Sequence, residues 1–244
     1  MSNIHSEVVS YNANGTTCKG YLAYDQSISG PRPGVLVVHE WWGLDDYIRG
    51  RANQLAGLGY TALAVDMYGD GKTADSPDQA GALMNGVLEK MTEDGTARLQ
   101  ASYECLKAQN VTDGARIAAI GYCFGGACVL HMARIGMDLR AVVSFHGSLG
   151  SFHKPAPGEV KPSILVCHGA ADALVPDADV AAFKAEMDAA KADYRFEAYP
   201  GALHGFTNPE ATARGEQYGL PLKYDAAVDK QSWQQMQDLF KQVF

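Results

Sequence analysis

The chain has 244 residues, 47% hydrophobic and 20% charged; that length suits one α/β domain around one core, and the composition is too apolar for a disordered chain. Lys and Arg number 20 against 28 Asp and Glu, a formal charge of −8, so the average surface repels phosphate backbones and anionic lipids, which argues against nucleic acid and membrane as partners. Cys18, Cys105, Cys123, Cys128 and Cys167 are an odd set without a Cys-x-x-Cys pair, unlike a disulfide framework or a zinc site, and predict a reducing compartment.

The N-terminal stretch lacks a basic segment followed by an apolar one, and no apolar run reaches the roughly 18 residues of a bilayer span. A cytoplasmic location is therefore expected. Glu7 to Tyr24 reads as two strands around Asn12, Asn14 and Gly15, residues that tolerate the positive φ of a hairpin turn, and forms an antiparallel edge. Pro33 to His39 is a nearly continuous apolar, β-branched run, the signature of a strand covered on both faces. Ile48, Ala52, Leu55 and Ala56 share one face of a helix ending at Gly59, and Thr61 to Met67 repeats the buried-strand pattern.

Two helical stretches follow, one with Leu83, Met84, Val87, Leu88 and Met91, the other with Leu99, Tyr103 and Leu106, and Thr92 is the predicted N-cap between them. Ile117 to Gly121 is a strand, and a helix runs from beyond Cys123 to about Ile135. Strands are predicted at Ala141 to Phe145, Ser163 to Cys167 and Arg195 to Tyr199. Between the last two, Val180, Phe183 and Met187 mark a helix; Trp233, Met236, Phe240 and Val243 mark a terminal one. This alternation predicts an α/β fold, a mostly parallel sheet with helices on both faces. The loop Gly147 to Lys161 is short and polar and does not resemble a linker, so residues 1–244 are expected to form one domain.

Gly121-Tyr122-Cys123-Phe124-Gly125-Gly126 falls where a strand gives way to a helix. A nucleophile elbow strains its central residue and needs neighbours without side chains, which accounts for glycines two before and two after Cys123. The thiol would then stand above a helix N-terminus, whose dipole favours thiolate and oxyanion. Taken alone, the motif also fits a tight turn around a structural cysteine. Two partners in the right chain order strengthen the catalytic interpretation: Asp172 just past the Ser163 to Cys167 strand, and His204 in the loop past the next one. His204 would take the thiol proton and Asp172 would fix its tautomer. The backbone N–H of Phe124 would serve the oxyanion, with a second donor from the loop after the Pro33 to His39 strand, for which Trp41 is the candidate.

These residues, together with His39-Glu40-Trp41-Trp42-Gly43-Leu44, Asp66-Met67-Tyr68-Gly69, His168-Gly169-Ala170-Ala171-Asp172 and His204-Gly205-Phe206, resemble the dienelactone hydrolase family over most of the chain. The resemblance implies the α/β-hydrolase fold and hydrolysis of a small ester or lactone by a cysteine nucleophile, as in carboxymethylenebutenolidase. It further implies that Glu40 contacts the resting thiol and is displaced by substrate. Members acting on dienelactone hold its carboxylate with two arginines. Here no arginine lies between Arg51 and Arg98, and none lies in His204 to Asn208; Lys72 and Arg214 are the remaining candidates, and a general carboxylesterase is the alternative.

Trp42, Tyr122, His146 and Phe206 are candidates for the pocket wall, and His39 is expected to be structural. The histidines lack metal-ligand spacing, so neither metal nor cofactor is expected. The partner is a small-molecule substrate, and the chain is a monomer or small homo-oligomer. A redox thiol at Cys123 and a non-catalytic binding domain are the competing alternatives.

Overall fold

The computed structural model describes residues 3–244. Eight strands, β1 (Ile4–Ala13), β2 (Thr16–Asp25), β3 (Arg32–Val38), β4 (Thr61–Val65), β5 (Thr112–Tyr122), β6 (Ala141–Phe145), β7 (Ser163–Gly169) and β8 (Tyr194–Tyr199), take the sheet order β1-β2-β4-β3-β5-β6-β7-β8. The predicted mostly parallel α/β sheet with an N-terminal antiparallel hairpin is thus observed. The chain divides into two compact units, one ending at Ile120 and the other running Gly121–Phe244.

In the first unit, β1 and β2 pair antiparallel from Ile4↔Asp25 to Ala13↔Thr16. Their turn uses Asn14 at φ 48° and Gly15 at φ 82°, and the Gly15 N–H donates to Asn12 Oδ1 at 3.0 Å. β2 runs antiparallel to β4 (Leu22↔Leu63) and β3 parallel to it (Leu36↔Leu63). Helix α1 (Asp46–Gly57), capped by Asp45, buries Ile48, Ala52, Leu55 and Ala56 completely, the face its spacing predicts. Ser76 caps α2 (Pro77–Leu88), with Pro77 in the first turn, where it forfeits no intrahelical bond. Thr92, however, caps nothing. Met91–Gly95 forms a turn of π-helix that leads directly into α3 (Thr96–Lys107), and the Thr96 hydroxyl donates to Met91 O at 2.8 Å. The break expected from the sequence is a wide turn within a continuing helical path.

Asp66, fully buried just beyond β4, organises the segment after it. Its Oδ1 accepts the amides of Tyr68 (3.0 Å) and Gly69 (2.8 Å), and its Oδ2 accepts those of Lys19 and Gly71, both at 2.8 Å. Four backbone donors make a buried carboxylate tolerable where one without partners would be costly.

In the second unit, β6 pairs parallel with β7 (Phe145↔Cys167) and β7 with β8 (Cys167↔Glu197). Every residue of α4 (Phe124–Arg134) is buried. Arg134 ends it with a fully buried guanidinium that donates to Leu149 O at 2.9 Å, Gly150 O at 3.0 Å and Glu186 at 2.8 Å. The Gly147 to Lys161 loop and α5 (Asp177–Ala190) are thereby held to α4. The terminal α7 (Ala226–Val243) buries Met236 and Phe240 as predicted.

Helix α6 (Ala211–Tyr218) was not legible in the sequence because it buries only Ala211 and Gly215, which leave no apolar stripe. A Cβ on Gly215 would lie 2.6 Å from Leu222 O, so α6 packs backbone against the segment that follows it. Among the described residues, no helix is long and apolar enough to cross a membrane.

Asp66→Ala orphans four amide donors and is expected to lower unfolding stability by about 3 kcal/mol or more. Asp66→Asn keeps one acceptor oxygen and should lose less; urea midpoints at unchanged m-value measure both.

Candidate active site

Strand β5 ends at Tyr122 and α4 starts at Phe124, so Cys123 makes the entire turn between them. It does so at φ 53°, ψ −115°, a region a residue with a side chain occupies only under constraint. The constraint is supplied by backbone: the Cys123 N–H donates to Phe145 O at 3.1 Å, and the Gly126 N–H to Cys123 O at 3.0 Å. A Cβ on Gly121 would overlap the Gly125 carbonyl. One on Gly126 would lie 2.6 Å from both Gly147 Cα and Ser144 Oγ. The spacing argument had assigned close approach to Gly121 and Gly125; the structure adds Gly126, where α4 passes Gly147. Cys123 stays half-buried at the N-terminus of α4, with Phe124 the first helical residue.

The acid and the imidazole meet through a second set of close backbone approaches. A Cβ on Gly169, at the end of β7, would lie 2.6 Å from Ala202 O and 2.9 Å from Leu203 O. The next two amides, of Ala170 and Ala171, donate to Tyr199 O (2.9 Å) and Ala202 O (3.0 Å). The turn carrying Asp172 is thus laced to the loop carrying His204. Asp172 Oδ1 accepts the Leu174 amide at 2.9 Å and Oδ2 accepts His204 Nδ1–H at 2.8 Å, with the Asp172 side chain fully enclosed. The loop itself is anchored by Lys223 N–H to His204 O (3.1 Å) and Asp225 N–H to Phe206 O (3.0 Å).

His204 therefore carries a proton on Nδ1 towards Asp172. Burial by itself would push its pKa down. The Cys123 charge, the hydrogen bond to Asp172 and hydrogen bonding with the thiol outweigh it and raise the pKa well above the usual imidazole value. Nε2 is buried without a hydrogen bond of regular length and angle, so the Cys123 sulfur acts on it chiefly through charge. Among the buried thiols, burial raises Cys18 to about 11 and Cys167 to about 12, and raises Cys128 as well as the half-buried Cys105.

The remaining candidates fall into two groups. In the first unit, the Glu40 and Trp42 side chains are buried and Trp41 is half-buried. A strap from Met67 to Ala74 holds their backbone: Tyr68 O–H donates to Trp41 O (2.8 Å) and Ala74 N–H to Trp42 O (2.9 Å). The His39 ring accepts the Met67 amide on Nε2 (3.2 Å) and donates from Nδ1 to Glu40 O (2.5 Å), and burial lowers its pKa to about 4. His39 is structural, as expected. In the second unit, Tyr122, His146 and Phe206 are fully buried. Tyr122 stacks on Phe145 at 4.9 Å, and His146 contacts Phe206 at 5.0 Å and His204 at 5.3 Å. They are enclosed neighbours of the His204 loop, closed from solvent. Lys72 is exposed, and Arg214 pairs with Glu210 one helical turn back at 2.6 Å. Sequence reading missed Thr207, which bonds His146; only its place three residues past His204 hinted at a role.

A model of the dienelactone hydrolase family matches residues 18–244. Protein usf of Aquifex pyrophilus is 31% identical over 206 residues, 83% of this chain and 87% of that protein. Two crystal or solved structures, a dienelactone hydrolase-like promiscuous phosphotriesterase from metagenomic libraries (TM-score 0.90) and one titled m3DLH (TM-score 0.92), are each 38% identical and cover 99% of both chains.

At pH 6, iodoacetamide is expected to modify Cys123 ahead of the other four cysteines, and His204→Ala to slow that modification by on the order of tenfold or more. Peptide mass mapping over time reads both; equal rates in the two proteins would refute an influence of His204 on the thiol.

Proposed function

Since this chain belongs to the dienelactone hydrolase family, and so to the carboxylic ester hydrolases, we propose that Cys123, His204 and Asp172 form a triad that cleaves a small ester or lactone through a thioester acyl-enzyme. The observation that carries this is the 2.8 Å bond from Asp172 to His204 Nδ1, on an imidazole whose pKa the Cys123 charge raises.

The Cys123 thiolate attacks the carbonyl carbon and forms the S–C bond, and the carbonyl electron pair moves onto oxygen. The Phe124 N–H, on the first residue of α4, is the assigned oxyanion donor. On collapse the C–O bond breaks, and the His204 imidazolium gives its Nε2 proton to the departing alkoxide. His204 then takes a proton from water, which attacks the thioester and releases acid and free enzyme. Asp172 holds the ring in the tautomer both steps need.

The substrate class is a neutral ester or lactone. Lys72 is exposed and Arg214 is engaged by Glu210, so neither supports the pair of cations that would select a carboxylated lactone. Phosphotriester hydrolysis is a second reading, favoured by the 38% identity over 99% of both chains to the dienelactone hydrolase-like promiscuous phosphotriesterase; Cys123 would attack phosphorus and expel an aryloxide.

Short-chain nitrophenyl esters are expected to give a burst of nitrophenol equal to the enzyme present, and Cys123→Ala to abolish it; full activity in that variant would exclude the thioester route. Neutral lactones should be cleaved at least as fast as carboxylated ones, and a nitrophenyl phosphotriester assayed in parallel tests the second activity against the same variant. Asp172→Asn removes two influences that raise the His204 pKa. The alkaline limb of kcat/KM, where His204 loses its proton, should therefore move to lower pH, with kcat down by on the order of 10³-fold or more.

A further inference from the structure

His146 stands out by its backbone. It follows β6 at φ 41°, and it is one of five described residues other than glycine with positive φ; Cys123 is another. Such a conformation is unfavourable for a side-chain-bearing residue and persists where its surroundings fix it from several sides. Here the fixing contacts are explicit. The His146 N–H donates to Cys167 O at 2.8 Å. Its ring Nε2 bonds Thr207 Oγ1 at 2.7 Å, and the ring meets Phe206 edge-on at 5.0 Å and Tyr122 at 6.0 Å.

The preceding residue and one of the ring contacts border the proposed chemistry. Phe145, the preceding residue, gives the carbonyl that holds the Cys123 amide, and Tyr122 immediately precedes Cys123. Thr207 and Phe206 lie in the loop that carries His204. The His146 ring itself contacts the His204 ring edge to face, at 5.3 Å and 63°. One fully buried side chain thus joins the segment that holds the nucleophile to the segment that holds the base, with no atom exposed to substrate.

We propose that His146 is a positioning residue: anchored by Thr207, it sets the plane of the His204 ring so that Nε2 faces the Cys123 sulfur. The proposal rests on the triad assignment above. It needs no proton transfer by His146; the ring acts by shape and by the bond to Thr207. His168, at the end of β7, also feels the His204 charge, and burial lowers its own pKa.

Thr207→Val keeps the side chain's shape and removes the hydroxyl, Thr207→Ser keeps the hydroxyl, and His146→Phe keeps a ring without the bond. The readouts are kcat and KM on a nitrophenyl ester and the pH midpoint of Cys123 alkylation. With His204 mis-set, Thr207→Val and His146→Phe should lose on the order of ten- to a hundredfold in kcat with KM changed less than about twofold. Their alkylation midpoint should move to higher pH, and Thr207→Ser should restore both values. A purely structural role would lower the unfolding midpoint and leave kcat and the alkylation midpoint at wild-type values, and that result overturns the proposal. If His146→Phe does not fold, the Thr207 pair decides alone. His204→Ala separates the two levels: an unshifted midpoint there defeats the triad itself, whereas a shift there with none in Thr207→Val defeats only the role of His146.

Discussion

A residue bearing a side chain, held at φ 53° between a strand and a helix, is the constraint around which the second unit is organised. Nothing local favours that geometry, so it must be imposed by neighbours that leave no alternative. Gly121 and Gly126 allow the backbone on either side to close in, Gly147 lies against Gly126, and Phe145 O captures the Cys123 amide. Two of these neighbours, Phe145 and Gly147, flank His146, which takes a positive φ of its own. The strain at the sulfur is thus shared with the adjacent strand end, and the two strained residues sit on the elements that the proposed mechanism must align.

The acid and the imidazole are placed by the same means. Asp172 and His204 are 32 residues apart, yet they meet because Gly169 lets the end of β7 abut the Ala202 and Leu203 carbonyls. A methyl group there would push apart the loops that carry them. Electrostatics then follow from enclosure. A buried imidazole would ordinarily be neutral, and His39 and His131 are both lowered to about 4 by burial. His204 goes the other way because a carboxylate bonds one nitrogen and the Cys123 charge acts on the ring. The contrast among three histidines of one chain isolates what the partners contribute.

The sheet, the hairpin and most helices were legible because each buries residues at its own period: β3 and β4 on both faces, α1 and α7 along one stripe. The π-turn at Met91 to Gly95 was hidden because Thr92 carries the chemistry of a cap, and only tertiary context shows the helix continuing through it. Helix α6 was hidden because it packs through Ala211 and Gly215 and so shows no periodicity. At the site, the chain order of Cys123, Asp172 and His204 and their places at strand ends were readable. Gly126 and Gly169 were not, because their importance lies in backbone distances that spacing alone does not encode. His146 and Thr207 join residues 61 apart through a hydrogen bond that no sequence pattern announces.

In the proposed mechanism, sulfur rather than oxygen suits the same electrostatics. A serine hydroxyl gives up its proton only during attack, so its imidazole partner stays neutral at rest and burial alone would not disturb it. A thiol has an ordinary pKa near 8.5, close enough to imidazole for the proton to pass over before substrate arrives. An enclosed imidazole with a carboxylate on Nδ1 is suited to receive it, since the cation is then stabilised from both sides. The cost of such an arrangement is a nucleophile that is reactive at rest, exposed to oxidation and to any electrophile that enters. Burial protects the other four thiols from that fate by raising their pKa values.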